Sequence, residues 1–252
     1  MSEQPELSTF VVLDLDRTLL DTARLVQAYT AMLSEKFGRQ LVMDLTEAQL
    51  NSEDREVSFD VYSYLAAGIG ADEVGQFNGD FLSRHEHVDM LNDGAVDLLM
   101  SLSIHNQKYG ILTQGSQSWQ LFKLMAARLG HVPYVITDQP RKAGITVASW
   151  QQANGQFKVP CEFDAGADRG GGVYDRILEV DDKLSALEDM PDGAQGLLYV
   201  GGRRPGEVAA VYADLPESIQ LISHLQQVSG YIQPQDVARR ALSTSRKRYA
   251  SI

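Results

Sequence analysis

Two aspartates separated by one residue close the first strongly apolar run of the chain, Phe10-Val11-Val12-Leu13-Asp14-Leu15-Asp16. In an extended chain successive side chains alternate, so Asp14 and Asp16 face one way and Leu15 the other. Two later runs also break into polar residues. Tyr109-Gly110-Ile111-Leu112 leads into Thr113-Gln114-Gly115-Ser116, and Ile177-Leu178-Glu179-Val180 leads into Asp181-Asp182. Ligands of open parallel sheets bind beyond the carboxyl ends of the strands, so these ends are expected to converge. Four carboxylates at one sheet edge repel one another and raise their own pKa values unless a cation sits among them. Oxygen donors without cysteine or clustered histidine select magnesium over zinc or copper, and magnesium keeps positions for water or a phosphate oxygen. That combination belongs to phosphoryl chemistry, which needs a nucleophile, a proton donor for the leaving oxygen and donors for the equatorial oxygens. Asp14 can supply the first and Asp16 the second. Thr113, in its glycine-bearing turn, can hold an oxygen, and a lysine can balance the remaining charge.

The elements that must position these residues follow from periodicity. Apolar strands are expected at Phe10–Leu13, Lys108–Thr113, Val132–Thr137, Ile177–Val180 and Gly196–Val200. Helices are expected at Asn92–Leu102, Ser118–Leu129, Leu184–Met190 and Gly206–Tyr212. Strands alternating with helices predict an α/β fold with a doubly wound, Rossmann-like parallel sheet. From Thr22 to Met90 the signals are helical only, with stripes such as Leu25, Ala28, Tyr29, Met32 and Leu33, and a stop at Phe37-Gly38. The aromatic residues of this block, Tyr29, Phe59, Tyr62, Tyr64, Phe77 and Phe81, are expected mainly in a core, with one or two facing a substrate. Between Ser149 and Val159, Asn154-Gly155 sits between aromatic- and valine-bearing arms and predicts a hairpin. Asp168–Gly172 reads as a glycine-rich loop, and Arg239, Arg240, Arg246, Lys247 and Arg248 as a solvated or frayed basic tail, with a partner-binding arm as the alternative.

Taken together, these residues resemble the haloacid dehalogenase superfamily. Its first motif is similar to Asp14-Leu15-Asp16-Arg17-Thr18, its second to Tyr109–Thr113, and its acidic fourth to Ile177–Asp182, all in the family's order. The third motif is a lysine between the second and fourth, for which Lys142 is the first candidate and Lys158 the alternative. The resemblance implies a core domain of residues 1–21 and 91–252 and a small all-helical cap domain of residues 22–90. It further implies that Asp14 attacks phosphorus to form an aspartyl-phosphate, while Asp16 protonates the leaving group and later activates water. A magnesium ion would take a carboxylate oxygen of Asp14, the backbone carbonyl of Asp16, and Asp181 or Asp182. Thr113, Gln114, Lys142 and Arg17 are the candidate substrate contacts. Dehalogenase members lack the second aspartate, so Asp16 favours a phosphatase.

Three features depart from the family pattern. Arg17 stands where glycine is common, and can either contact substrate or pair with Asp21. The stretch between Lys142 and Asp181 is long, and Ala186 stands where many relatives carry another acid. The residue pattern also leaves rivals: a phosphotransferase or mutase using the same intermediate, or a catalytically silent scaffold. Motif order and size count against a response-regulator receiver domain. His85 and His87 point apart on a helix and do not make a zinc site, and Gly201–Arg204 reads as a loop as readily as an anion site.

Composition bounds the rest. The 252 residues are 44% hydrophobic, enough for a sizeable core, and carry 22 Lys+Arg against 34 Asp+Glu, a net charge of −12. Such a field repels polyanions, so no nucleic-acid partner is expected and an anionic ligand must be small and met locally. The only cysteine, Cys161, can form neither an internal disulfide nor a cysteine cage for zinc, and no activating partner is evident. No apolar run approaches a membrane span, and the polar N-terminus is unlike a secretory signal, so the expectation is a cytoplasmic protein with a small phosphorylated substrate.

Overall fold

The computed structural model describes residues 8–53, 59–163, 172–201 and 215–232. Six strands, β1 (Thr9–Leu13), β2 (Lys108–Gln114), β3 (Tyr134–Thr137), β6 (Arg176–Asp181), β7 (Ala194–Tyr199) and β8 (Ile219–Ile222), form one sheet in the order β3-β2-β1-β6-β7-β8. Every neighbouring pair in it is parallel. Strands β4 (Phe157–Lys158) and β5 (Val173–Tyr174) make a separate antiparallel pair. The expected doubly wound α/β sheet is therefore present.

Chain order reverses at the centre: β1 feeds β2 and β3 on one side, and the chain returns to β6 on the other. The carboxyl ends of β1 and β6 thus flank the switch point where doubly wound folds open a crevice. β1 is buried along its whole length, as a central parallel strand should be. Its side chains alternate between two cores. Phe10 and Val12 join Leu112, Val147, Trp150, Phe157 and Ile177 on one face. Val11 and Leu13 join Ile111, Phe122, Leu178 and Val180 on the other.

Helices α1 (Thr22–Phe37), α2 (Arg39–Glu53), α3 (Val61–Ile69) and α4 (Ala71–Arg84) make up the expected helical block, followed by α5 (Ala95–Ile104), α6 (Gln117–Ala126) and the short α7 (Leu184–Leu187). Asp21 caps α1 by accepting from Arg24 N at 3.0 Å, and Gly38, at φ +91°, ends it. Within the block Leu25, Tyr29, Leu33, Leu65, Phe77 and Phe81 are buried, while Phe59, Tyr62 and Tyr64 are half-buried. Each large buried side chain contributes roughly 1.5–3 kcal/mol. The Tyr29 ring meets Phe77 edge-on at 5.1 Å and also Trp119 and Phe122 of α6, so this core is continuous with the sheet's.

Several local expectations are corrected. Five strands are legible in the sequence, whereas the sheet has a sixth, β8; its four residues Ile219-Gln220-Leu221-Ile222 are too short for periodicity to single out. Asn154-Gly155 does form a tight turn, with Gly155 at φ +82° and Gln152 N donating to Gln156 O at 2.7 Å. Its first arm is not a strand, however. Ala148–Trp150 coils into a 3₁₀ turn that buries Trp150, leaving one bridge from Gln151 to Phe157, and β4 pairs instead with β5. The helix expected to reach Met190 stops at Leu187. The expected helix at Gly206–Tyr212, the anion-loop residues Gly202–Arg204, most of the glycine-rich loop and the basic C-terminal residues lie outside the described residues. No described helix is long and apolar enough to cross a membrane.

Candidate active site

Strand alternation decides which acids meet. Asp14 follows β1 in phase with Phe10 and Val12, and Glu179 and Asp181 on β6 are in phase with Ile177. All three therefore lie on the face covered by the segment that begins at Lys142. Asp14 N donates to Val180 O at 2.9 Å, which ties the end of β1 to β6. Lys142 opens a π-helical turn, Lys142–Val147, and is only 3% exposed. Its Nζ donates to Asp14 Oδ1 at 2.6 Å and to Leu112 O at 3.2 Å, and also pairs with Asp181 Oδ2. Lys158, the alternative lysine, is exposed on β4. Carboxylate oxygens of Asp14, Asp181 and Asp182 all lie within 4.8 Å of one another.

The acids of this group outnumber the one ammonium among them. Burial pushes Asp14 up to about 8, with Asp181 and Asp16 adding to the shift and Lys142 opposing it. Glu179 is buried with neither carboxylate oxygen hydrogen-bonded among the described residues; burial, with Asp181 and Asp14, takes it to about 8 against Lys142. Burial and Asp181 raise Asp182 to about 6, opposed by Lys183, Arg17 and Lys142. Burial disfavours the charge on Lys142, yet Asp14, Asp181 and Glu179 hold its pKa well above the ordinary lysine value. One ammonium thus faces four acids, and full ionisation would leave an excess of negative charge in a buried place. Three carboxylates converging there with no sulfur or imidazole in the group fit a hard divalent cation such as magnesium.

Asp16 is placed differently from expectation. Its carboxylate is not in the converging group. Alternation fails because the chain does not stay extended past Asp14: Leu15 lies in a turn, Asp16 bridges to Leu20 and Arg17 is left-handed at φ +61°. The side chain turns instead to α6, where Lys123 Nζ donates to both oxygens at 2.8 and 2.7 Å. Gln120 Nε2 donates to Oδ2 at 3.2 Å and the Thr22 hydroxyl to Oδ1 at 2.9 Å. Burial alone would raise Asp16, but Lys123 and these hydrogen bonds outweigh it and hold the carboxyl below its usual range.

The loop that carries Asp16 is fastened from outside. Asn92 Nδ2 donates to Arg17 O at 2.8 Å and Thr18 O at 2.9 Å, and Arg17 N donates to the Thr22 hydroxyl at 3.0 Å. A left-handed residue here explains why glycine suits the Arg17 position. Arg17 is exposed and its charge acts on Asp182. The pairing of Arg17 with Asp21 does not form, because Asp21 caps α1 and its carboxylate pairs with Arg24 at 3.3 Å.

The end of β2 completes the arrangement. The buried Thr113 hydroxyl donates to Gln120 Oε1 at 3.2 Å, and Gln114 O accepts from Gln120 Nε2 at 2.7 Å. Gln114, Asp16, Gln120 and Lys123 line a cleft of about 610 Å³ together with Phe59 and Val61 of the helical block. Lys123, Gln120, Glu179 and Asn92 were not singled out by sequence. The available signal was a polar pair, Gln120 and Lys123, spaced i, i+3 on a helix directly after an expected active-site strand end. The His85 ring stacks on Phe81 at 4.1 Å and its Nδ1 lies 3.0 Å from Phe81 O.

No protein-family model matches the chain, and no curated protein matches it. Solved structures do. A protein described as a haloacid dehalogenase-like hydrolase from Burkholderia xenovorans aligns over 88% of this chain and 95% of its own, with 16% identity and a TM-score of 0.58. A haloacid dehalogenase-like family hydrolase from Xanthomonas campestris aligns over 96% and 97%, with 15% identity and a TM-score of 0.48. A HAD hydrolase from Bacillus subtilis, solved with magnesium bound, aligns over 90% and 100%, with 15% identity and a TM-score of 0.46. The Burkholderia likeness establishes the fold: the chain is built as haloacid dehalogenase-like hydrolases are.

Proposed function

We propose that this chain, with the fold of the haloacid dehalogenase-like hydrolases, is a magnesium-dependent phosphohydrolase of a small phosphorylated metabolite. The observation that carries the reading is the contact of Lys142 with Asp14 and Asp181 beside Asp182, at the switch point of the sheet. Asp14, Asp181 or Asp182, and the backbone carbonyl of Asp16 are the groups that would hold the ion. Once bound, the ion neutralises charge on the phosphoryl oxygens and on the clustered carboxylates.

Lys142 occupies Asp14 Oδ1, which leaves Oδ2 as the attacking oxygen. A bond forms from that oxygen to phosphorus while the ester bond to the leaving oxygen breaks, giving a phosphoryl group on Asp14. Asp16 supplies a proton to the leaving oxygen. In the second step Asp16 takes a proton from the water that attacks phosphorus, and Asp14 is released. Lys123 holds Asp16 as an anion at rest. Asp16 as found therefore suits the second step, and must acquire a proton before it serves the first. Residues 22–90 act as the cap of a core formed by 1–21 and 91–252, and Phe59 and Val61 from the cap wall the cleft in which the leaving group sits. The single cysteine suits a cytoplasmic setting.

The test is phosphate release from a panel of phosphorylated metabolites with and without magnesium. Turnover that needs the ion and disappears in Asp14→Asn is expected; no release from any member overturns the reading.

A further inference from the structure

Lysine is seldom buried without a partner, and Lys123 is 6% exposed. It stands one turn beyond Gln120, so two polar side chains interrupt the apolar surface that α6 otherwise offers through Phe122 and Leu124. Both reach the same carboxylate. Lys123 engages both oxygens of Asp16, Gln120 one of them and Thr22 the other. Four hydrogen bonds to one carboxylate fix its rotation.

Gln120 is fixed in turn by Thr113 and by Gln114 O. Gly115 makes that possible: a Cβ on it would lie 2.5 Å from Gln120 Nε2, and its φ is +146°. Lys123 is further located by the Trp119 ring, whose centroid is 5.6 Å from the ammonium. Asp16, Gln120 and Lys123 all line the cleft, whereas Lys142, which does not, contacts Asp14 and Asp181.

We infer that Lys123 and Gln120 are positioning residues of the phosphoryl transfer, which hold Asp16 on the leaving-group side of the cleft and act only through it. The inference rests on the phosphohydrolase reading. In the first step the Asp14–phosphorus bond forms, the ester bond breaks and the leaving oxygen receives its proton from Asp16. In the second, water gives a proton to Asp16 as its oxygen bonds to phosphorus and Asp14 leaves. Lys123 keeps its own proton throughout.

The test compares Lys123→Met, Lys123→Arg, Asp16→Asn and the double variant Asp16→Asn/Lys123→Met on two esters. para-Nitrophenyl phosphate has a leaving group that departs without a proton, and a phosphate ester of a simple alcohol does not. Lys123→Met is expected to lose about 100-fold in kcat/KM on the alcohol ester, within the range of general acid–base effects, and less than about tenfold on the aryl ester. Lys123→Arg recovers most of the loss, and the double variant is no slower than Asp16→Asn. Equal losses on both esters, or additive losses in the double variant, overturn the inference while leaving the phosphohydrolase reading intact. Wild-type protein that releases phosphate from no ester overturns the reading itself. Independently of turnover, a crystal structure of Lys123→Met is expected to show the Asp16 carboxylate rotated with Asp14, Lys142 and Asp181 in place. An Asp16 carboxylate that has not moved overturns the inference.

Discussion

The ammonium of Lys142 lies 2.6 Å from Oδ1 of Asp14, a contact made across 128 residues of sequence. It joins the end of the first strand to the segment that covers one face of the sheet. Because the same ammonium also touches Asp181, it links the two strands that flank the switch point.

Removing that ammonium takes away the cation that Asp14 and Asp181 contact. Lys142→Met leaves Asp14, Asp181 and Glu179 buried without a compensating cation. Breaking a buried pair in this way costs roughly 3–5 kcal/mol. Thermal melting at neutral pH is expected to show a large loss of stability that added magnesium partly restores, together with loss of turnover. Unchanged melting would show that the acids do not depend on Lys142.

The raised carboxylates set a pH dependence of stability. Asp14 and Glu179 at about 8 and Asp182 at about 6 bind protons in the folded protein that the unfolded chain, with ordinary values near 4, has already released. Between about pH 4 and 8 the folded state therefore holds more protons, and stability falls as pH rises. In chelator-treated protein the melting temperature is expected to drop across this window. Glu179→Gln should reduce the slope and raise stability at pH 8, whereas a slope unchanged by that substitution would contradict the assignment.

Gly115→Ala places a methyl group against Gln120 in a backbone conformation that side chains rarely adopt. A cost of about 1–3 kcal/mol is expected from strain and overpacking. Turnover should fall further than in an equally destabilised core variant, because Gln120 loses its hold on Asp16. Kinetics of the two variants at matched melting temperature check this.

The sheet and half of the candidate site are legible because strand alternation carries over from sequence to space. Asp14 and Asp181 sit where apolar runs end, and parity alone puts them on one face. Alternation misplaces Asp16 because it ends at Asp14: the chain turns at Leu15 and goes left-handed at Arg17. Lys142 was legible only as a candidate, since nothing local in Pro140–Gly144 distinguishes a lysine that spans 128 residues to Asp14 from a solvated one. Lys123 is not legible for the related reason that a lysine on a helix reads as solvent-facing until its partner is known. Glu179 reads as part of an apolar strand, and its burial beside Lys142 depends on which segment covers that face.

Acid quench of the magnesium-supplemented protein during turnover of para-nitrophenyl phosphate, followed by peptide mass spectrometry, tests the central claim most directly. A phosphoryl adduct on the peptide that carries Asp14, absent from Asp14→Asn, is the predicted result. Phosphate release with the adduct on another residue, or with undiminished turnover in Asp14→Asn, would contradict it.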